Sequence, residues 1–91
     1  MKIYSIWFNR NGIDECYGEV KGEKFNKKVL DEIKNKVDFV KDCYLKDFEI
    51  EEKGDNWVMY SYDGIGIFEV NDGCDVDKCK EEYDELVDCS F

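Results

Sequence analysis

The closing segment 71–91, NDGCDVDKCKEEYDELVDCSF, concentrates the residue types in this sequence that could do chemistry, which are thiols and carboxylates. It holds three of the five cysteines, Cys74, Cys79 and Cys89. Thiolates bind zinc, pair as disulfides or act as nucleophiles, whereas clustered carboxylates bind calcium or a basic partner. The spacing of these residues helps to decide among these chemistries.

The spacing argues against a metal site. Structural zinc sites need four thiolate or imidazole ligands, but the sequence has no histidine and no second pair to follow Cys74 and Cys79. If residues 76–89 form one helix, Cys79 and Cys89 lie ~15 Å apart along its axis, too far to share an ion. The register of a calcium-binding EF-hand is also wrong, because Gly73 precedes most of the acids. We expect no metal ion and no cofactor.

The thiols also lack the partners of redox or catalytic cysteines. Five is an odd number without regular spacing, which disfavours the disulfide framework of a secreted protein. The spacing still allows a Cys74–Cys79 disulfide, or one between Cys43 and any other cysteine. We expect Cys16 and Cys79 to be small core residues and Cys89 to be the most reactive thiol. With no histidine base, phosphate loop or nucleophile elbow, the sequence predicts no enzymatic activity.

Residues 76–89 separate into an apolar and an acidic side when they are placed on a helix at about 100° per residue. The acidic side comprises Asp77, Glu81, Asp84, Glu85 and Asp88. Asp75 is a suitable N-cap. Acids four residues apart repel each other on a helix, so a helix selected for solubility alone would more often mix lysine with glutamate. The acidic side is therefore the main candidate for partner binding.

Charge is unevenly distributed along the chain. The net charge is −10, with eight acidic and nine basic residues in 1–44 but fifteen acidic and four basic residues in 45–91. Such a charge excludes ordinary binding to the phosphate backbone, which needs lysine and arginine. No apolar run approaches the ~20 residues of a membrane helix, and the first residues do not resemble a secretory signal. We expect a cytoplasmic protein that binds neither nucleic acid nor membrane directly.

The first elements predicted are a β-hairpin and a long helix. Asn11-Gly12 is typical of a type I′ turn, and a two-residue loop would place Trp7 opposite Cys16, Ser5 opposite Gly18 and Ile3 opposite Val20. From 23 to 44 the apolar residues recur every three or four positions, which predicts one amphipathic helix. That apolar stripe consists of Phe25, Val29, Ile33, Val37, Val40 and Tyr44.

Three more strands and the acidic helix complete the predicted fold. A strand over 47–52 would carry Asp47, Glu49 and Glu51 on one face, and strands near 56–62 and 65–70 would be joined by a turn at Asp63-Gly64. We expect 1–91 to form one α+β domain of order ββαβββα, in which a mainly antiparallel five-stranded sheet packs with two helices.

Both sheet faces are predicted to be apolar, so each needs a cover. Two helices could bury everything. Otherwise an exposed aromatic patch that includes Tyr60 and Tyr62 would be a second docking surface.

These features favour a binding protein over an enzyme. In size, charge and folded acidity the chain resembles the small acidic inhibitors that phages make against nucleic-acid-directed defence, the anti-CRISPR and anti-restriction proteins, several of which mimic DNA. That resemblance implies docking on a basic, nucleic-acid-binding protein partner. The alternative is an accessory subunit or homodimer that uses the apolar sheet, with the acids serving solubility.

Overall fold

One antiparallel sheet with a helix on each face forms the fold. The computed structural model describes the backbone of residues 1–53 and 56–89, and the side chains of these residues as far as Asp84. The strands are β1 (Lys2–Arg10), β2 (Ile13–Gly22), β3 (Glu49–Lys53), β4 (Trp57–Tyr62) and β5 (Ile65–Asn71), and the helices are α1 (Lys27–Lys36) and α2 (Val76–Cys89). The strand order in the sheet is β2-β1-β5-β4-β3. The predicted α+β class and ββαβββα order are confirmed.

Both predicted two-residue turns are present. Asn11 and Gly12 have φ values of 55° and 82°, and Asp63 and Gly64 have values of 43° and 82°. Two successive positive φ angles define a type I′ turn, whose twist matches that of the flanking strands. These turns fix the pairing of β1 with β2 and of β4 with β5.

The predicted register of the first hairpin agrees with the structure near the turn and is wrong beyond a β-bulge. Trp7 lies opposite Cys16 as predicted, but Ile6 lies opposite Gly18, so Tyr17 is an extra residue on β2. Gly18 has φ +154°, a backbone conformation that favours glycine. Beyond the bulge every pairing moves by one residue.

The shifted pairing explains why a strand can bury Tyr17 and Val20 on the same side. Ser5 faces Glu19 and Ile3 faces Lys21, which leaves Val20 opposite Tyr4. Residues three apart on a regular strand point to opposite faces, and the bulge removes this conflict.

The prediction of one helix over 23–44 is wrong. Helix α1 begins after Asn26, whose side-chain oxygen accepts a hydrogen bond from the Val29 amide at 3.1 Å, and it ends at Val37, which has extended φ and ψ angles. The chain then forms short 3₁₀ turns at Asp38–Val40 and Leu45–Asp47. Most of the predicted apolar stripe is nevertheless buried, because Val37 and Val40 reach the α1 side of the sheet from the loop.

Each helix covers one apolar core. The α1-side core contains Tyr4, Ile6, Val20, Val29, Leu30, Ile33, Val37, Val40, Cys43, Phe48, Tyr60, Ile65 and Ile67. The α2-side core contains Trp57, Met59, Phe68, Val70, Val76 and Cys79. The two helices therefore cover the two apolar faces of the sheet, one helix on each.

Tyr60 is not part of an exposed aromatic patch, so that expectation is wrong. Its ring stacks on Phe25 with centroids 4.1 Å apart, and only 9% of the residue is exposed. Tyr62 is half-buried and packs against Phe48. Helix α1 and the segment before it therefore cover this part of the sheet.

Helix α1 lies close to the sheet at Gly22, which gives a test of the fold. A Cβ atom on residue 22 would lie 2.5 Å from Cγ2 of Val29, a buried β-branched side chain that cannot easily move. We expect Gly22→Ala to lower the free energy of unfolding by about 1–3 kcal/mol in urea titrations.

Gly66→Ala is the matched control, since a Cβ atom there would meet Cε2 of Phe68 at 3.5 Å, an ordinary contact. It should be neutral or stabilise by up to about 1 kcal/mol, because alanine narrows the unfolded ensemble. Equal destabilisation by both changes would contradict the described packing of α1.

Candidate functional site

Helix α2 presents its acids outward, as predicted, over the part whose side chains are described. Asp75 caps the helix, and its Oδ1 accepts a hydrogen bond from the Lys78 amide at 3.2 Å. Val76 and Cys79 are buried against the sheet, whereas Asp77 and Glu81 are exposed. The side chains of Glu85 and Asp88, which belong to the same predicted set, lie outside the described part of the chain.

Lys80 is the site residue that sequence reasoning missed. It lies on the sheet side of α2, with 11% of its side chain exposed, and its Nζ is 2.7 Å from Oδ2 of Asp14 and 2.6 Å from Oδ2 of Asp84. The same Nζ lies 5.3 Å from the centroid of the Trp7 ring. A signal was available: position 80 is four residues after Val76 and three before Tyr83, on the apolar stripe, where a lysine needs an acidic partner.

The Lys80 contacts favour the charged forms of Asp14 and Lys80. Hydrogen bonds from Lys80 and then from Asn9 lower the pKa of Asp14 below its ordinary value. Burial lowers the pKa of Lys80, but its hydrogen bonds to Asp14 and Asp84 and the charges of these acids outweigh burial and raise it. Because Asp14 belongs to β2, this cluster fastens α2 to the far edge of the sheet.

A second row of acids lies on the same face of the sheet as α2. Glu49 pairs with Ser61 and Glu51 pairs with Met59, and paired residues of antiparallel strands share a face. Both glutamates are exposed, and Glu51 forms an ion pair with Lys53 at 2.6 Å. Asp47 was predicted to continue this row within the strand, which is wrong, because β3 begins at Glu49 and Asp47 lies in a 3₁₀ turn.

A cleft separates the two acidic rows. Its floor is formed by Ser61 and Gly66, which pair across β4 and β5, and its walls include Trp7, Phe68 and Tyr83. Asp14, Lys80 and Asp84 stand at its rim, and its volume is about 240 Å³. We call this feature the sheet cleft. The cleft exists because Ser61 and Gly66 are too small to fill the space between the sheet and α2. The larger side chains around them hold the helix away from the sheet.

The sheet cleft is continuous with shallower hollows on both sides. Along α2, a groove lined by Asp77 and Glu81 shares Trp7, Asp14, Lys80 and Asp84 with the cleft. Towards β3, a hollow lined by Asp47, Glu49 and Asp63 shares Ser61 and Gly64 with it. We use the name acidic surface for the exposed carboxylates of these hollows and of β3, which are Asp47, Glu49, Glu51, Asp77, Glu81 and Asp84.

Several members of the acidic surface have no neutralising neighbour. Within residues 1–53 and 56–84, no lysine or arginine nitrogen lies within 4.0 Å of a carboxylate oxygen of Asp47, Glu49, Asp77 or Glu81. Unpaired carboxylates that line adjoining hollows of one surface sum to a negative potential over it.

The predicted tyrosines divide between two environments. Tyr62 borders the hollow that contains Asp47 and Glu49, so it lies next to the acidic surface. Tyr60 lies on the α1 side, where its hydroxyl donates a hydrogen bond to the buried carboxylate of Glu69, which also pairs with Lys2. The structure does not bring Tyr60 together with the acids.

The Glu69 network is a second feature that sequence reasoning missed. Burial and then the hydrogen bond to Glu69 raise the pKa of Tyr60, and burial and then the charge of Glu69 raise the pKa of Tyr4. Both hydroxyls therefore stay protonated at neutral pH, and that of Tyr60 donates to Glu69. Buried charge of this kind is costly unless it is paired, so Glu69, Lys2 and Tyr60 form a unit within the α1-side core.

The described cysteines do not form a reactive site. Cys16, Cys43, Cys74 and Cys79 are free thiols, and burial raises the pKa of Cys43 and Cys79. Cys79 is buried as predicted, but Cys16 is exposed, so its expected core position is wrong. Cys89 lies outside the residues whose side chains are described.

The described residues contain neither a cluster of metal-ligating side chains nor a membrane-spanning helix. Among the described residues, no group of three or more cysteine, aspartate or glutamate side chains is arranged to hold a metal ion. Neither described helix has the length and apolar character needed to cross a membrane.

Comparison with protein-family models, with curated proteins and with solved structures gives no significant match.

The Lys80 cluster predicts a specific pH dependence of stability. Because the folded-state pKa of Asp14 is lowered, ionised Asp14 stabilises the fold above its ordinary pKa of 3.8, and this contribution is lost as the pH falls through the lower folded-state value. We expect Asp14→Asn to lower the free energy of unfolding at pH 7 by about 0.5–1 kcal/mol, allowing for its partial exposure to solvent. The difference from the unmodified protein should vanish in acid, as measured by urea titrations across pH.

Asp31→Asn is the control for this prediction, because Asp31 is exposed on α1 and has no ion pair within the described part of the chain. It removes the same charge and should leave the free energy of unfolding at pH 7 almost unchanged. A loss for Asp14→Asn that persists unchanged in strong acid would contradict the assigned pKa direction.

Proposed function

We propose that this protein is a small acidic inhibitor that docks on a basic, nucleic-acid-binding protein and blocks the surface that nucleic acid would occupy. The observation that carries the proposal is the acidic surface, in which two rows of exposed carboxylates flank one cleft on one face of the sheet. The proposal places the activity in the same broad type as phage anti-restriction and anti-CRISPR inhibitors.

The spacing of the acids supports mimicry of a phosphate backbone. Asp77 and Glu81 are one helical turn apart, which separates them by ~6 Å along the axis of α2. Such spacing is comparable with that of neighbouring phosphates in a nucleic acid strand. A basic protein groove that binds phosphates would find similar charges on this surface.

The overall charge supports rapid and salt-sensitive association. A net charge of −10 on a chain of 91 residues creates a field that steers a basic partner towards it. Complementary charge raises association rates and suppresses wrong partners, and added salt weakens both effects.

Packing of the sheet favours this proposal over self-association through an apolar sheet face. That alternative needs a continuous exposed apolar face, whereas α1 and α2 pack on the two faces of the sheet and bury Tyr60 and Trp57. The large apolar side chains exposed on the described strands, Ile13 and Ile50, lie on opposite edge strands. Self-association predicts a dimer in light scattering, and the proposed inhibitor requires only one copy of the chain.

The proposal predicts that the position of the acids matters, beyond the net charge. An acidic-surface variant would combine Asp47→Asn, Glu49→Gln, Asp77→Asn and Glu81→Gln. We expect it to lose capture of basic proteins from a cell lysate by about tenfold or more, because the field at the docking face is removed. Proteins captured by the unmodified chain should bind nucleic acid and should be released by a short DNA duplex.

A control variant with the same change of net charge would combine Glu23→Gln, Asp31→Asn, Glu32→Gln and Asp42→Asn, all exposed outside the acidic surface. It should retain capture. Equal loss in both variants would show a general charge effect, and retention in both would contradict the charge mechanism. Melting curves of both variants check that the fold is intact.

A further inference from the structure

The sheet cleft has the form of a side-chain pocket. Gly66 adds no side chain to its floor, where even a Cβ atom would already contact Cε2 of Phe68 at 3.5 Å. The volume of about 240 Å³ is small for a cofactor but sufficient for one long side chain. Helix α2 reaches the cleft with Lys80, Tyr83 and Asp84 and leaves it accessible from outside.

Aromatic rings form the walls of the cleft. Phe68 packs edge to face against Trp7, with centroids 6.3 Å apart, and against Tyr83, with centroids 6.0 Å apart. The Trp7 indole N–H has no hydrogen-bond partner within the described residues. Aromatic faces attract cations as well as apolar groups, which suits a cleft at the centre of an acidic surface.

The charge at the rim selects a cation over an anion. Asp14, Lys80 and Asp84 together carry a net charge of −1, and Lys80 is largely buried between the two acids. Oδ1 of Asp14 already accepts a hydrogen bond from Asn9 at 2.9 Å, whereas within the described residues Oδ1 of Asp84 accepts none. Among the described groups, none competes with a further donor for this Asp84 oxygen.

We propose that the sheet cleft binds an arginine side chain of the basic partner, an inference that rests on the proposed function. A guanidinium is planar and weakly hydrated, stacks on aromatic rings and donates hydrogen bonds to a carboxylate, so it matches the walls and Asp84 together. A lysine ammonium is compact and strongly hydrated, and it lacks the planar surface and the fork of donors with which a guanidinium stacks and binds a carboxylate. The acidic surface attracts the partner, and the cleft selects arginine.

The first measurement titrates the protein separately with an arginine tetrapeptide and with a lysine tetrapeptide. The NMR signals of the two tryptophan indole N–H groups report binding. Trp7 lines the cleft, while Trp57 is buried in the α2-side core and serves as an internal reference. We expect the arginine peptide to shift the Trp7 signal saturably and more than that of Trp57. We expect the lysine peptide to bind at least about fivefold more weakly. Equal response to both peptides, or no response at Trp7, would overturn the inference.

Two variants locate the binding. Asp84→Asn removes the available carboxylate, and Glu82→Gln removes one charge from an exposed residue of α2 that does not line the cleft. The affinity for the arginine peptide should fall several-fold in Asp84→Asn and remain unchanged in Glu82→Gln. Equal affinities in these two variants would overturn the assignment to the cleft.

A filled cleft separates this inference from the proposed function. Ser61→Leu fills the floor without changing any charge and, if its melting curve shows a folded protein, should abolish the arginine-specific shift and weaken partner capture. If Ser61→Leu captures the partner normally while the acidic-surface variant does not, the arginine pocket is wrong and the proposed function stands. If the acidic-surface variant also captures normally, the proposed function fails. Should Ser61→Leu not fold, the Asp84→Asn comparison decides the inference.

Discussion

The ion cluster of Lys80 with Asp14 and Asp84 solves the main physical problem of this structure, which is how an acidic protein holds an acidic helix against its own sheet. Helix α2 belongs to a half of the chain with a net charge of −11 and would be repelled by other carboxylates nearby. Lys80 places one positive charge under the helix and joins it to β2 through Asp14. The acids of α2 can then point outward while Val76, Cys79 and Tyr83 pack on the sheet.

The same cluster shapes the surface that we assign to function. Lys80 lies over Trp7 and orients Asp14 and Asp84 at the rim of the sheet cleft. Without Lys80, the carboxylates of Asp14 and Asp84 would lie near each other beside Trp7 and would repel. This repulsion would weaken the packing of α2 on the sheet. The stability of α2 and the form of the cleft therefore depend on one buried lysine. The Glu69 network has a comparable role on the other face, where it ties Tyr60 and Lys2 into the α1-side core.

Much of the fold could be predicted because its strongest determinants are local. Asn11-Gly12 and Asp63-Gly64 specify type I′ turns through their backbone preferences, and the apolar stripe of α2 indicates the side that packs. Periodicity wrongly predicts one long helix over 23–44, because apolar side chains from the loop after α1 reach the core with a spacing similar to that of a helix. The β-bulge at Tyr17 depends on which side chains of β2 pack against α1. Tertiary packing determines this, and the local sequence of β2 does not show it.

The charge of the candidate site could be predicted from the sequence, whereas its geometry could not. Sequence patterns identified Asp77, Glu81 and Asp84 as one helix face, but they did not show that Glu49 and Glu51 share the sheet face on which α2 lies. The sheet cleft required three facts from separate segments: Ser61 opposite Gly66, Trp7 beside them, and Lys80 drawn inward. Such a pocket is not encoded in any single stretch of the chain.

Hydrogen–deuterium exchange of the intact protein, with and without the captured basic partner, tests the claim that α2 and the adjoining sheet cleft form the docking surface. Binding should slow exchange in α2 and around residues 61–66, and it should leave α1 (Lys27–Lys36) unchanged. Protection confined to α1, with unchanged exchange in α2, would contradict the claim.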